Sequence, residues 1–266
     1  MHVHFLDPYR PGSSPIHQLD ARVKFILTLA YILTAALTPI GAWPVYILLL
    51  AWAVTIEILS ELGVGFVLRR AALALPFVLA ALPVIFTAPG AALIHLPIGP
   101  WMLTITLPGV ERFISIALKS WISVQMAIVL AATTSFPDLL TAMRAIKVPR
   151  LLVAIFGLMW RYLFVLVDEA LRLMRARLSR SGESDRPDLK AGGALIWRAK
   201  VAGGMAGSLF LRAIERSDRI YMAMVARGYD GEVRAAPLPR LSRRDWLTLW
   251  LCLGLLLALL TSAALF

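Results

Sequence analysis

Residues 151–181 read LLVAIFGLMWRYLFVLVDEALRLMRARLSRS, and the fold turns on whether this stretch crosses a bilayer. Leu151 to Val167 is apolar enough to do so, although Arg161 stands in its middle. A central arginine costs roughly 2.5 to 3.5 kcal/mol on insertion scales, which so apolar a segment can absorb, so energy alone does not decide. Charge parity is the better guide. If the stretch crossed, Arg172, Arg175, Arg177 and Arg180 would emerge on the side opposite the other basic loops. It therefore reads as a long helix lying against the inner face or under the other spans, with a sixth crossing as the alternative. The helix runs on without Gly or Pro through DEALRLMRARLSR, on a strong helix-forming background, and stops at Gly182.

The rest of the chain has the composition of a membrane protein. Hydrophobic residues make up 59% of the 266, and the mean hydropathy is +0.77, well above the usual apolar usage of soluble domains. The net charge of +11 is local: 20 of the 27 Lys and Arg and 11 of the 16 Asp and Glu lie between Phe136 and Trp246, so this region alone carries +9. Cys252 is the single cysteine and lies in a Leu-rich run, which excludes a disulfide framework, a CxxC motif and a cysteine-ligated metal. About two dozen polar residues precede the first apolar run, unlike a signal peptide, so no cleaved leader is expected.

A window of about 20 apolar residues places spans near Val23 to Leu37, Trp43 to Leu59, Ala71 to Ala88, Phe113 to Thr134 and Trp246 to Phe266. The third holds Pro76 and Pro83 and should be kinked or split. Pro89 to Val110, rich in Pro and Gly, reads as a loop with a short re-entrant piece as an option. Arg10, Arg22 and Lys24 precede span one, and Arg69 and Arg70 lie between spans two and three. The loop around Pro39 to Pro44 is uncharged, and Ala88 to Leu107 carries only His95. The positive-inside rule then makes the N-terminus and the Ser60 to Arg70 loop cytoplasmic, and four spans return the chain to that side.

A second long helix is predicted from Ala194 to Ala226, stopping at Gly228. Leu209, Ala213, Arg216, Ile220, Met224 and Arg227 recur every three or four residues, so one stripe runs from apolar packing into a basic tip. A shorter amphipathic piece covers Pro137 to Ile146. Both long helices end in an arginine followed by a small residue: Ser179-Arg180-Ser181 and Ala226-Arg227-Gly228. A cation in the last turn complements the helix dipole and Gly commonly stops a helix, so one such tip alone is more often a capping signal than a functional one. Two tips on separate helices point to docking. No GxxxxGK[ST] loop occurs, so any ATP chemistry belongs to a partner.

These features resemble the transmembrane T component of energy-coupling-factor (ECF) transporters, and within it the CbiQ-type subunit of cobalt and nickel uptake systems. Three stretches carry the resemblance: SPIHQLDARVK at 14–24, RYLFVLVDEA at 161–170 and FLRAIERSDRIYMAMVARGYD at 210–230. Ala226-Arg227-Gly228 matches the family's Ala-Arg-Gly signature. Ser179-Arg180-Ser181 is a looser match to Ala-Arg-Ser, with Ala176-Arg177-Leu178 as the rival placement. The resemblance implies an all-α integral membrane protein of about five transmembrane helices. Residues 1–135 would hold the polar segment and four spans, 136–245 a cytoplasmic coupling domain of long helices, and 246–266 the last span. It further implies that the Arg tips press into grooves on a dimer of ABC-type ATPases, with Arg161, Asp168, Glu169, Arg177, Glu215 and Arg219 supporting the coupling helices. A substrate-specific CbiM-like membrane component, with a small accessory membrane subunit, would capture the ion. Cobalt is preferred because the stretches look closer to the cobalt subunit, and nickel is the alternative. ATP and Mg would be bound by the ATPase, leaving this chain non-catalytic and without a cofactor of its own, in the inner membrane.

Other chemistries find little footing. His2, His4, His17 and His95 are all the histidines, and no pair has the i, i+4 spacing of a preformed metal site, so no metal ligand is assigned. Glu57 and Glu61 read as solvated acids at the inner end of span two, near Arg69 and Arg70. Asp168-Glu169 and Glu215-x-x-Asp218 read as local partners of neighbouring arginines. A lipid-phosphate transferase would want DDxxD or repeated DxxxD to hold Mg²⁺, and neither occurs. A module binding anionic lipid remains a remote reading of the +9 region. Nucleic acid is not expected, because acids interleave with the bases.

Overall fold

The computed structural model describes residues 8–90, 92–98, 101–180, 194–230 and 240–264, with side chains left undescribed at 92–98 and 101–104. The chain divides into two compact units. One contains α1 (Pro15–Gln18), α2 (Ala21–Leu37), α3 (Trp43–Leu59), α4 (Val64–Ala71), α5 (Leu75–Leu79), α6 (Val84–Thr87), α7 (Leu107–Thr133), α8 (Phe136–Ala145) and α11 (Arg243–Ala263). The other contains α9 (Arg150–Arg180) and α10 (Leu195–Ala226). Among the described residues the fold is all-α apart from one antiparallel hairpin, β1 (Ala92–Ile98) with β2 (Trp101–Thr106), in register from Ile94↔Ile105 to Ile98↔Trp101 with a shift between Ala92 and Ile94. The hairpin replaces the loop expected at Pro89 to Val110, and α7 begins at Leu107 rather than Phe113. The β-branched Ile94, Ile98, Thr104, Ile105 and Thr106, with Trp101, favour the extended chain, a signal that the prolines obscured.

Among the described residues, four helical runs are long and apolar enough to cross a membrane: Val64–Thr87, Leu107–Thr133, Arg150–Arg180 and Arg243–Ala263. The 17-residue α3 is a shorter apolar helix, at the lower edge of spanning length. The run 64–87 is broken, as its prolines require: α4, a 3-10 turn, α5 from Leu75 with Pro76 in its first turn, then α6 after Pro83. Gly109 makes the return possible, because a Cβ there would lie 2.6 Å from the Ile85 carbonyl oxygen.

The membrane core joins α2, α3, α7 and α11 through Tyr31, Ala35, Leu49, Ala53, Ile122, Met126, Leu256 and Ala263. Lipid tails are as apolar as leucine, so association relies on close packing at small residues and on hydrogen bonds rather than on a hydrophobic drive. Tyr31 donates to the Leu49 carbonyl at 2.6 Å, tying α2 to α3. Buried Lys24 donates to the Thr133 carbonyl at 2.8 Å, satisfying an orphan acceptor at the end of α7. Val45, Leu49, Ala53 and Glu57 form one i, i+4 stripe on α3, all buried.

That stripe corrects the reading of Glu57. Its carboxyl group is fully buried, and neither oxygen has a hydrogen-bond partner among the described residues, whereas Glu61 is exposed. The turn after α3 folds back, and Leu62 and Val67 pack on Val129 and Ala132, so the end of α3 is covered rather than solvated.

The entry to α2 is a polar knot. Asp20 caps the helix by accepting from the Arg22 N–H at 2.9 Å, and its carboxylate takes the Arg22 Nε and Nη2 at 3.0 and 2.8 Å. Burial is the largest single influence on Asp20 and works against the charged form, but the hydrogen bonds and charge of Arg22, with Lys24 behind them, together hold it below the usual carboxylate range. A carboxyl lowered in this way stabilises the fold at neutral pH, and that contribution is lost as pH falls through its folded value. Asp20→Ala removes cap and ion partner and should cost about 1 to 3 kcal/mol, seen as a lower melting temperature in detergent. Asp20→Asn should keep most of the cap while flattening the acid limb of stability against pH.

Candidate docking tips

Helices α9 and α10 bury little of their surface. Among the described residues, α9 buries only Val153 and α10 buries none. Their mutual contact follows the predicted stripe. Ala213, Arg216, Ile220 and Met224 of α10 face Ile155, Met159, Tyr162 and Leu166 of α9 across a groove of about 400 Å³. Farther along, Glu169 accepts from the Arg212 guanidinium at 2.5 Å and lies 4.0 Å from Arg172, so its partner on the other helix is much the nearer. Arg212 carried no local signal, since 43 residues separate it from Glu169 and only the register of α9 on α10 brings the two together.

The arginines behave differently from the expected local pairing. Only Glu169 makes an i, i+3 contact of the anticipated kind. Among the described residues, Asp168, Glu215 and Asp218 make no ion pair, and neither do Arg161, Arg177, Arg180, Arg219 and Arg227. Glu169 is drawn off α9 because Arg212 offers a donor across the groove, while Glu215 lines the same hollow as Glu169 and Arg219 without pairing, and Asp218 is exposed. Arg161 is exposed beside the edge-to-face pair Trp160 and Phe164.

At the end of α10, the backbone closes in a Schellman motif. The Tyr229 N–H donates to the Met224 carbonyl at 3.0 Å and the Gly228 N–H to Val225 at 2.9 Å, with Gly228 at φ +81°. Ala226 is the last helical residue, Arg227 the C-cap, and Gly228 the left-handed stop. The guanidinium is thus carried at the extreme tip, exposed and without an acid to neutralise it. At the end of α9, Arg180 is likewise exposed, Ser179 folds its hydroxyl back onto the Ala176 carbonyl at 3.0 Å, and Arg177 is half-buried a turn earlier. Ser181 and Gly182 lie outside the described residues. A guanidinium offers five donors in a planar fork, so each free tip can take a carboxylate bidentately.

Among the described residues, no group of three His, Cys, Asp or Glu is placed to hold a metal. His17 is engaged in structure: its Nε2 donates to the Arg10 carbonyl at 3.0 Å and its Nδ1 meets the Ser14 hydroxyl at 2.7 Å. His2, His4 and the His95 side chain lie outside the described residues. Replacing Gly228 tests the tip geometry. A Cβ would meet nothing within 4 Å, so Gly228→Ala should cost only the strain of a positive φ, about 1 kcal/mol, and should speed hydrogen exchange at the Gly228 and Tyr229 amides while the middle of α10 is unaffected.

The model of the family CbiQ, described as cobalt transport protein, matches residues 12–237. A relative from Ruminiclostridium cellulolyticum, the energy-coupling factor transporter transmembrane protein EcfT, is 30% identical over 84% of this chain and 82% of its own length. The cobalt transport protein CbiQ of Rhodobacter capsulatus is 29% identical over 68% of this chain and 69% of its own. The putative fused cobalt transport protein CbiMQ of Methanocorpusculum labreanum is 24% identical over 82% of this chain and 35% of its own. A match running from the polar knot before α2 to beyond the tip of α10, on a multi-pass helical membrane protein, makes this chain a member of the CbiQ family, the T component of an ECF transporter.

Proposed function

We propose that the chain is the coupling subunit of an ECF-type importer of cobalt ions. The observation that carries this reading is the free guanidinium of Arg227 at the Schellman-closed end of a 32-residue helix. In this reading Ser179, Arg180 and Ser181 form one docking tip and Ala226, Arg227 and Gly228 the other, each entering a groove on one subunit of an ABC-type ATPase dimer. Bidentate arginine contacts at a desolvated interface belong to the strong class of charged hydrogen bonds. Glu169 and Arg212 set the register of α9 on α10, so a push at either tip is passed along a fixed contact face, while Arg161, Asp168, Arg177, Glu215 and Arg219 present further charge along their flanks. Region 136–245 acts as the coupling domain on the cytoplasmic side of the inner membrane. ATP and Mg²⁺ belong to the ATPases, and this chain performs no catalysis.

The apolar exposure of both helices supports a membrane partner. Leu151, Ile155, Met159, Phe210, Leu211, Ile214 and Tyr221 are all exposed, more than a lone soluble helix pair would carry. A CbiM-like substrate-capturing subunit, joined by a small accessory membrane subunit, is the partner that these faces would meet, and the relative named as a fused CbiMQ supports that pairing. ATP-driven movement of the ATPases would pass along α9 and α10 and tilt the capturing subunit. Nickel is the alternative ion.

Losing one buried arginine partner costs about 2 to 5 kcal/mol, or about 30-fold or more in affinity. Arg227→Glu should therefore reach the membrane at normal levels yet lose ATPase copurification and metal uptake by at least that factor. Normal uptake with stoichiometric ATPase would contradict the proposal, and uptake of radiolabelled nickel but not cobalt would move it to the alternative ion.

A further inference from the structure

Arg10 and Arg70 share one aromatic ring. Their guanidinium carbons lie 3.7 and 4.3 Å from the centroid of Phe66, so the two cations are no more than about 8 Å apart, a distance at which like charges still repel appreciably near a protein surface. Among the described residues, neither makes an ion pair. The arrangement is nevertheless held in place. The Arg10 N–H donates to the Ala132 carbonyl at 2.9 Å, and its own carbonyl accepts from His17, so the polar N-terminal segment is pinned across the end of α7. Phe66 is half-buried against the cluster of Leu62, Val67, Val129 and Ala132, which fixes the ring that both guanidiniums contact, while Arg70 is exposed. Two preorganised cations without an anion make a site for one.

The exposed apolar residues that follow point to one kind of anion. Phe66, Arg70, Leu73 and Phe77 follow one another at i, i+4, i+7 and i+11 where α4 leads into the broken span. Leu73 is 76% exposed and Phe77 81%, so an apolar strip starts one turn beyond the paired guanidiniums. A free phosphate would use only the charged end. A phospholipid would use both, placing its phosphodiester between the arginines and an acyl chain along Leu73 and Phe77.

We infer that Arg10, Phe66 and Arg70 form a headgroup clamp for an anionic phospholipid at the membrane interface. Each guanidinium donates to a phosphate oxygen while its face stays stacked on the ring, which leaves the edge N–H groups free for the anion. The site is separate from the docking tips and stands or falls without them.

Native mass spectrometry of the full chain in detergent, titrated with phosphatidylglycerol or phosphatidylcholine, tests the clamp. Each arginine near an anionic surface contributes about fivefold, so the wild-type chain should retain phosphatidylglycerol about 30-fold better, each of Arg10→Gln and Arg70→Gln about fivefold better, and the double variant equally with phosphatidylcholine. Phe66→Leu, which keeps both charges, should also weaken the preference, and circular dichroism should show every variant folded. Millimolar inorganic phosphate should not displace the lipid. The inference is overturned if the double variant keeps the wild-type preference, if Arg69→Gln lowers it as much as Arg70→Gln, or if free phosphate competes. It is equally overturned if lipid retention is unchanged while ATPase copurification is lost, which would make the occupant an acidic protein segment.

Discussion

The ion pair between Glu169 and Arg212 is the charged contact that joins two helices of 31 and 32 residues which otherwise bury almost nothing. An exposed pair of this kind contributes only about 0.2 to 1 kcal/mol, so it cannot hold the helices by strength. Its effect is on register. With Glu169 opposite Arg212, the stripe of Ala213, Arg216, Ile220 and Met224 meets the apolar side of α9, and a slide of one turn would part the acid from its partner. Register in turn determines which arginines remain unpaired at the two ends. A weakly packed pair of long helices suits a moving part, since low burial and exposed backbone mark the elements that shift.

The other unit is organised by the opposite demand. Its helices close on one another through Ala35, Ala53, Ala132 and Ala263, and its polar groups are spent on the cross-links Tyr31 to Leu49 and Lys24 to Thr133 and on the Asp20 cap of α2. In lipid an unsatisfied backbone acceptor costs several kcal/mol, which explains why a lysine is buried at the end of α7. Glu57, Ser115, Gln125 and Thr134 are the exceptions, with buried side-chain oxygens that meet no hydrogen-bond partner among the described residues. Rigid membrane helices and a loosely held helix pair are what a device that passes movement from one partner to another requires.

Much of this was legible in the residues. The split of 64–87 follows from Pro76 and Pro83, the stop of α10 from Gly228, and the contact face of α10 from the spacing of Leu209 to Met224. What escaped was non-local. The hairpin hid behind prolines, Arg212 sits 43 residues from its partner, and Arg10 reaches Phe66 only because the N-terminal segment folds back over α7. Glu57 escaped differently: the stripe Val45, Leu49, Ala53, Glu57 was visible, yet an acid two residues from a helix end invites a solvated reading unless the following turn is known to cover it.

The central claim is that the ends of α9 and α10 are presented to a motor on the cytoplasmic side. Cross-linking tests it most directly, with cysteines placed at 180 and 227 in a Cys252→Ser background and membranes holding the assembled transporter. A bismaleimide should join each position to an ATPase subunit, giving an adduct of the combined mass. Adducts to lipid-embedded chains alone, or labelling of either cysteine from the outer face of intact cells, would contradict the account.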